Sequence, residues 1–378
     1  MQMPMAGVEF KVEAGNMMFK FSKPLRVLSS AVLNGGLVLA DAVLNHQVHK
    51  DFDHSDPEGY LRGVVEKLGL KGLVVGLMTA AYVDKYGISS REDDGLAVTT
   101  VTTAGISNAA SCGEDICKRV KVGTINTVVL IGAYMTDSCM VEAVKTATEA
   151  KCRALAHLDV RSPYSRELAT GTTTDAIAIV EVGGPVKSRY SGPGTKLGEL
   201  IGKTVFESVV QALERNDGLK PSRSLADRLR ERGVAVDDMV EAALQLFVPH
   251  PGVESREKAS EILREELMEL MEDPNIASLV VAGLRLEEDG ARGLIPGLPA
   301  SSYAKDPVFL VADEVLGMAI ANYAAGTLGH FEYVRFDKAK PGVIGRLGPF
   351  MDDVVGALVA SASSRMYSRA LRRAKGKS

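Results

Sequence analysis

Between residues 25 and 185 the apolar positions come in short runs rich in Val, Ile and Thr: "LRVLSSAVL", "KGLVVGLM", "GLAVTTVTT", "TINTVVLIGAY" and "TDAIAIVEV". Each is bounded by Gly, Asn or Ser, the pattern of strands separated by turns. Among them "TDSCMVEAVKTATEAKCRAL" changes to helical spacing, with Thr136 or Asp137 available as N-cap. A second helix, "TKLGELIGKTVFESVVQALERND", places Leu197, Leu200, Ile201, Val205, Val209 and Leu213 on one stripe and stops at "NDGLKPSRS". The pattern predicts an α/β domain, a mixed sheet with helices, over 1–217, with the boundary near 216–222. Beyond it, over 222–378, strand signals nearly vanish and a mostly all-α domain is expected. Its charge run at 254–273 reads as the solvated face of a helix whose Ile262, Leu263, Leu267 and Leu270 point inward.

Two helices of that second half share an unusual design. "ADEVLGMAIANYAAG" opens on Asp313 and Glu314 and "MDDVVGALVA" on Asp352 and Asp353, and each leading Asp is followed four residues later by glycine, Gly317 and Gly356. Residues four apart share a helix face, so each glycine invites a neighbouring backbone close to its acidic pair, and the two pairs are expected to converge.

A chain of 378 residues exceeds what one core usually supports, which agrees with two domains. Hydrophobic residues at 46% and charged ones at 24% are those of a soluble globular protein. The net charge of -4 arises from 44 basic and 48 acidic residues spread along the chain, so no field favours nucleic acid or an anionic membrane. Only the end, "RALRRAKGKS", is basic, and it reads as a solvated helix terminus. Cys112, Cys117, Cys139 and Cys152 follow no signal-peptide pattern and lack the spacing of a zinc site, which points to a reduced, cytoplasmic setting. Apolar runs are too short or too interrupted to span a bilayer.

The strand ends of the first half carry small polar residues in "SSAVLNGG", "GLMTAA", "TTAGISNA", "GTIN" and "ATGTTTD". Neutral donors and acceptors beside glycines suit a ligand rimmed with amides or hydroxyls better than a phosphate. The densest titratable cluster there is "NHQVHKDFDHSDPEGY", with His46, His49, Asp51, Asp53, His54 and Asp56 as candidates for acid-base work or as an exposed polar loop.

Over residues 20–216, "LRVLSSAVLNGG", "VTTAGISNA", "GTINTVVLIGA", "VEAVKTATEAKCRAL", "ATGTTTDAIAIV" and "GTKLGELIGKTVFESV" resemble the adenosylcobinamide amidohydrolases, the CbiZ family. The resemblance implies hydrolysis of the amide between aminopropanol and a propionate arm of the corrin ring, giving adenosylcobyric acid. A corrinoid presents a belt of carboxamides, so Asn34, Thr79, Asn108, Thr124 and Asn126 become candidates for holding it. Glu149 and Asp175 are the further carboxylates within these motifs, each equally able to cap a helix or pin a turn.

The acidic pairs point to different chemistry. Four carboxylates on closely packed helices repel or stay protonated unless a divalent cation neutralises them, and hard oxygen ligands suit Mg²⁺. Between them "RFDKAKPG" brings Arg335, Lys338 and Lys340, cations fit for phosphate. Over 275–360 these motifs resemble the phosphatidylglycerophosphatase A-like family, and within it the α-ribazole-5'-phosphate phosphatases. The membrane-spanning segments and Pro-Gly-Thr opening motif of the lipid phosphatases are missing, which argues against a lipid substrate. Together the halves resemble the bifunctional archaeal cobamide-salvage enzymes, whose substrates are a corrinoid and α-ribazole phosphate. Two rival readings are a corrinoid carrier without turnover, and a C-terminal half serving as a helical module for homo-oligomerisation with its acids as helix caps.

Overall fold

Alternation across a pleated sheet organises the N-terminal half. In a computed structural model that describes residues 5–49, 51–53, 55–116 and 123–375, this half is a compact unit, 1–222, and the remainder is a second, 223–378. The first unit holds β1 (Val8–Glu13), β2 (Asn16–Ser29), β3 (Gly36–Gln47), α1 (Pro57–Lys67), β4 (Val74–Thr79), β5 (Gly87–Asp93) and β6 (Leu96–Gly105). It continues with β7 (Thr124–Ile131), α2 (Asp137–His157), β8 (Ala176–Glu181) and α3 (Lys196–Asp217). Eight strands form one mixed sheet in the order β4-β3-β2-β8-β7-β6-β5, with β1 also on β2. The β3–β4 and β8–β7 pairs are parallel and the remainder antiparallel. Each parallel pair is joined through a helix, as parallel strands require: α1 for the first and α2 for the second.

Alternate residues of β7 serve opposite faces. Ile125, Val129 and Ile131 join the apolar cluster of α2 and α3, whereas Val128 and Leu130 join Val43, Val101 and Phe19 on the other. Thr136 caps α2 by accepting from Cys139 N at 3.2 Å, and the stripe of α3 is buried at all six positions. α3 ends at Gly218, whose φ of 67° is the left-handed conformation that closes helices.

β1, β3, β5 and α1 lie outside the strand and helix runs legible in the sequence, because their burial is mixed and polar residues interrupt their apolar positions. The sheet is consequently larger than expected.

The second unit is helical: α4 (Leu225–Glu231), α5 (Val236–Gln245), α6 (Arg256–Glu272), α7 (Pro274–Ala291), α8 (Ala300–Tyr303), α9 (Ala312–Ala339) and α10 (Pro349–Lys375). Leu263, Leu267 and Leu270 of α6 are fully buried and Ile262 is half-buried. The charge run of α6 is not solvated throughout. Glu266 is fully buried and paired with Arg365 at 2.7 Å and Arg369 at 2.6 Å, so basic residues of α10 lock onto α6.

α9 is two helical arms. Gly326, at φ 63° and ψ −151°, occupies a conformation essentially reserved for glycine and folds the arms against each other. A Cβ on Gly317 would lie 2.7 Å from the Tyr333 hydroxyl, sixteen residues along the chain. Gly356 of α10 meets the same ring, its Cβ position 4.0 Å from Tyr333 Cε2. Both glycines thus admit an aromatic ring, where a neighbouring backbone was expected.

Replacing Gly326 with Ala forces a Cβ into that conformation, at a cost of about 1–3 kcal/mol. The expected outcome is a lower denaturation midpoint at unchanged slope; an unaltered midpoint would show that the reversal does not need glycine.

Candidate active sites

At one end of the sheet, β7 and β8 begin side by side and β4 ends, so their polar terminal residues converge. Thr124 Oγ1 donates to Thr174 O at 2.7 Å. Asn126 Nδ2 donates to Met78 O at 2.7 Å and Asn45 Oδ1 at 2.8 Å, and Asn45 Nδ2 donates to Thr103 Oγ1 at 2.9 Å. Asn45, Thr103 and Asn126 are buried and nearly replace water for one another. Asn108 Nδ2 donates to Gly123 O at 2.7 Å and Thr173 Oγ1 at 2.6 Å, while its Oδ1 is buried with no partner among the described residues. A cleft of about 200 Å³ opens on this cluster, lined by Ser30, Met78, Thr79, Thr124, Thr174 and Asp175 among others. Asn34 stands apart from the lining, half-buried at φ 55°, donating to Val74 O at 2.8 Å.

A second cleft of about 250 Å³ lies between α2 and the sheet. Ser30, Asp175 and Ala176 belong to both walls. Asp175 accepts from Ile125 N and Thr172 N, each at 3.1 Å, from Thr172 Oγ1 at 2.5 Å, and from the ammonium of Lys151. It therefore pins the turn into β8 and holds a cation.

The acidic loop does not gather into this site. His46 projects to the opposite face from Asn45, between Asn16 Oδ1 at 2.7 Å and Tyr60 Oη at 3.2 Å, and burial pulls its pKa below the ordinary 6.5. His49 and Asp51 are exposed and 3.3 Å apart. Asp53 accepts from Ser55 N at 3.0 Å in a turn, and Asp56 caps α1, accepting from Gly59 N at 2.9 Å. His54 and Cys117 lie outside the described residues. Glu149 is exposed on α2.

In the second unit the folded α9 brings its first acidic pair to α10. Carboxylate oxygens of Asp313, Glu314 and Asp353 lie within 4.8 Å of one another, and Tyr333 Oη donates to Asp353 Oδ1 at 2.5 Å. Burial, then the adjoining Glu314 carboxyl, pushes Asp313 up to about 8. Burial likewise raises Asp353 to about 7 and Asp352 to about 6, from an ordinary 3.8. Asp352 stands outside the trio and takes Lys340 Nζ at 2.5 Å. Burial lowers the Lys340 pKa, but the hydrogen bond and charge of Asp352 outweigh it, and the net shift is upward. Beside Asp352 a cleft of about 380 Å³ is lined by Glu287, Tyr303, Asp306 and Gly348. Glu287 Oε2 accepts from Met351 N at 3.1 Å, so α7 caps α10.

Of the expected cations, Lys340 alone reaches the acids. Arg335 lies on the second arm of α9, donates to Leu246 O and pairs with Glu332 at 3.2 Å; Lys338 is exposed on the same arm. The segment "RFDKA" is helix, and the turn begins at Lys340, whose φ is 40°.

Asn45, Thr103, Lys151, Glu287 and Tyr333 escaped the sequence reading. Lys151 left a trace: with Val144, Ala147 and Thr148 it follows helical spacing and lines the same cleft, a cation on an otherwise uncharged face.

Polar strand ends thus meet at a cleft in the first unit, and a largely buried carboxylate trio forms in the second. The adenosylcobinamide amidohydrolase family model matches residues 2–221, and the chain belongs to that family; the phosphatidylglycerophosphatase A model matches 276–368. An adenosylcobinamide amidohydrolase of Methanosarcina mazei is 32% identical over 49% of this chain and 88% of its own. Two uncharacterized proteins of Methanocaldococcus jannaschii are 32% identical over 55% of this chain and 89% of theirs, and 33% identical over 34% and 99%.

Asp56→Asn removes a charge but keeps an equally good cap oxygen. Unchanged melting and unchanged amide hydrolysis are expected, and a fall in kcat would place this carboxylate in the chemistry. For Asp313 and Asp353 the sign follows from linkage. The native state keeps protons that the unfolded chain releases above about pH 4, so without a cation stability falls as pH rises toward about 8. Melting in chelator should drop across that window and drop less in Asp313→Asn; a rise with pH would refute the assignment.

Proposed function

We propose that the N-terminal unit cleaves the aminopropanol amide of adenosylcobinamide to adenosylcobyric acid, and that the C-terminal unit dephosphorylates α-ribazole 5'-phosphate. The observation that carries this is the conjunction, in one chain, of the amidohydrolase match over 2–221 with a phosphatase-family match that contains the buried trio. The first cleft is smaller than a corrinoid, so an arm enters while the macrocycle stays outside. Thr79 and Thr124 on its wall present neutral groups to the amide, and Asn126 and Asn108 fix the backbone beneath them.

In the second unit Asp313, Glu314 and Asp353 would hold a divalent cation such as Mg²⁺. Their oxygens are hard donors, and Glu314 Oε2 is buried with no hydrogen-bond partner among the described residues, as an atom awaiting a cation would be. A bound cation supplies positive charge against the phosphate oxygens. Lys340, steadied by Asp352 at the neighbouring cleft, supplies a further positive charge for phosphate. Among the described residues no helix is long and apolar enough to cross a membrane, which favours a small phosphate ester over a phospholipid.

Each substrate offered separately to the purified chain tests this reading. Chelator should abolish phosphate release from α-ribazole phosphate, and Asp313→Asn should lower it about a hundredfold with amide cleavage unchanged. Full phosphatase activity in excess chelator would leave the acids as helix-terminal residues without a metal role.

A further inference from the structure

Lys151 is unusual among the basic residues of the first unit. Its side chain is only 16% exposed, against 17% for Asp175, and the carboxylate it faces already receives two backbone N–H groups and a hydroxyl. Those three donors all meet Oδ1, which fixes the carboxylate and presents Oδ2 to the lysine. A lysine ammonium has three donors. Asp175 takes one, and no other acceptor within hydrogen-bond reach is found among the described residues. The remaining donors sit on the wall of the second cleft, beside the rim of Ser30, Asp175 and Ala176 shared with the first. A Cβ on Gly171 would lie 2.9 Å from Lys151 Nζ, so bare backbone backs the pair and fixes where the ammonium stands.

Resting on the amidohydrolase reading, we propose that Lys151 is the oxyanion-stabilising catalytic residue of amide hydrolysis, with Asp175 its positioning residue. Two clefts meeting at one rim suit an amide, which has an acyl side and an amine side. The oxygen of water bonds to the amide carbon as the carbonyl π pair moves onto oxygen, where the fixed ammonium meets the new charge. When that pair returns, the C–N bond breaks with its electrons on nitrogen, and a proton from the former water passes to the amine. Acid and free amine result, with water the only co-reactant. A preorganised cation with unspent donors stabilises such charge without rearrangement.

The test measures kcat and KM for adenosylcobinamide in the full-length chain, with melting as a check of folding. Lys151→Met should lose 10²–10³-fold in kcat, roughly the loss on removing one oxyanion donor, with little change in KM, and Lys151→Arg should regain part of it. A merely structural ion pair would lower melting and would not give a kcat loss at intact melting and near-constant KM. Because Lys151→Met leaves Asp175 without its cation, the paired variant Lys151→Met/Asp175→Asn, which removes both charges, serves if the single variant does not fold. The same loss in kcat is expected of it. Folded variants with wild-type kcat overturn the proposal while leaving the amidohydrolase reading intact. A wild-type chain that does not cleave adenosylcobinamide overturns that reading itself.

Discussion

A polar group taken out of water costs several kcal/mol unless something replaces the water, and the two units meet that cost in opposite ways. In the sheet, Thr103, Asn45 and Asn126 satisfy one another and the backbone of Met78, so the end of β4 is fastened to the middle of the sheet. The register of the strand ends, and hence the cleft above them, rests on that chain of amides. In the helical unit, burial is imposed on carboxyls that lack enough donors, and the unspent cost appears as raised pKa values at Asp313, Asp352 and Asp353. One region is finished by folding alone. The other is left electrostatically incomplete.

That contrast accounts for what the sequence could tell. Val, Ile and Thr runs announced β4, β6, β7 and β8, and the stripes of α2, α3 and α6 announced themselves, because burial on one face leaves a period. Val43 and Asn45 share a face of β3, one apolar and one amide, and a pattern that counts only apolar positions breaks at Asn45. The acidic pairs were conspicuous, yet their convergence depends on the reversal at Gly326 and on Tyr333 filling the space at Gly317, neither of which has a periodic signature. Asp352 and Asp353 look equivalent on paper. A helix turns about 100° between neighbours, which sends one toward Lys340 and the other toward the trio.

Titratable density proved a weak guide to place. The loop from His46 to Asp56 is dense in ionisable groups, but Asp56 caps α1, Asp53 closes a turn, His49 and Asp51 face solvent, and His46 sits between Asn16 and Tyr60. Charge concentrated in sequence is cheapest where water can reach it. Lys151 and Asp175, far apart in the chain and nearly buried, show the opposite economy. On the proposed reading the two reactions also share no intermediate, since neither product is the other's substrate. Joining them in one chain then serves matched supply of both halves of a cobamide; channelling has no part in it.

The acidic trio is a clasp with Asp313 and Glu314 on the first arm of α9 and Asp353 on α10, and the reversal at Gly326 sets where the second arm brings Tyr333 against it. A clasp has an open population, and a ligand that needs it closed binds with its intrinsic affinity diluted by the closed fraction. On the proposed reading, cation affinity in this unit would be partly a property of a hinge residue with no side chain, thirteen positions from Asp313. On that reading, substitutions there would weaken cation binding while leaving every carboxylate in place.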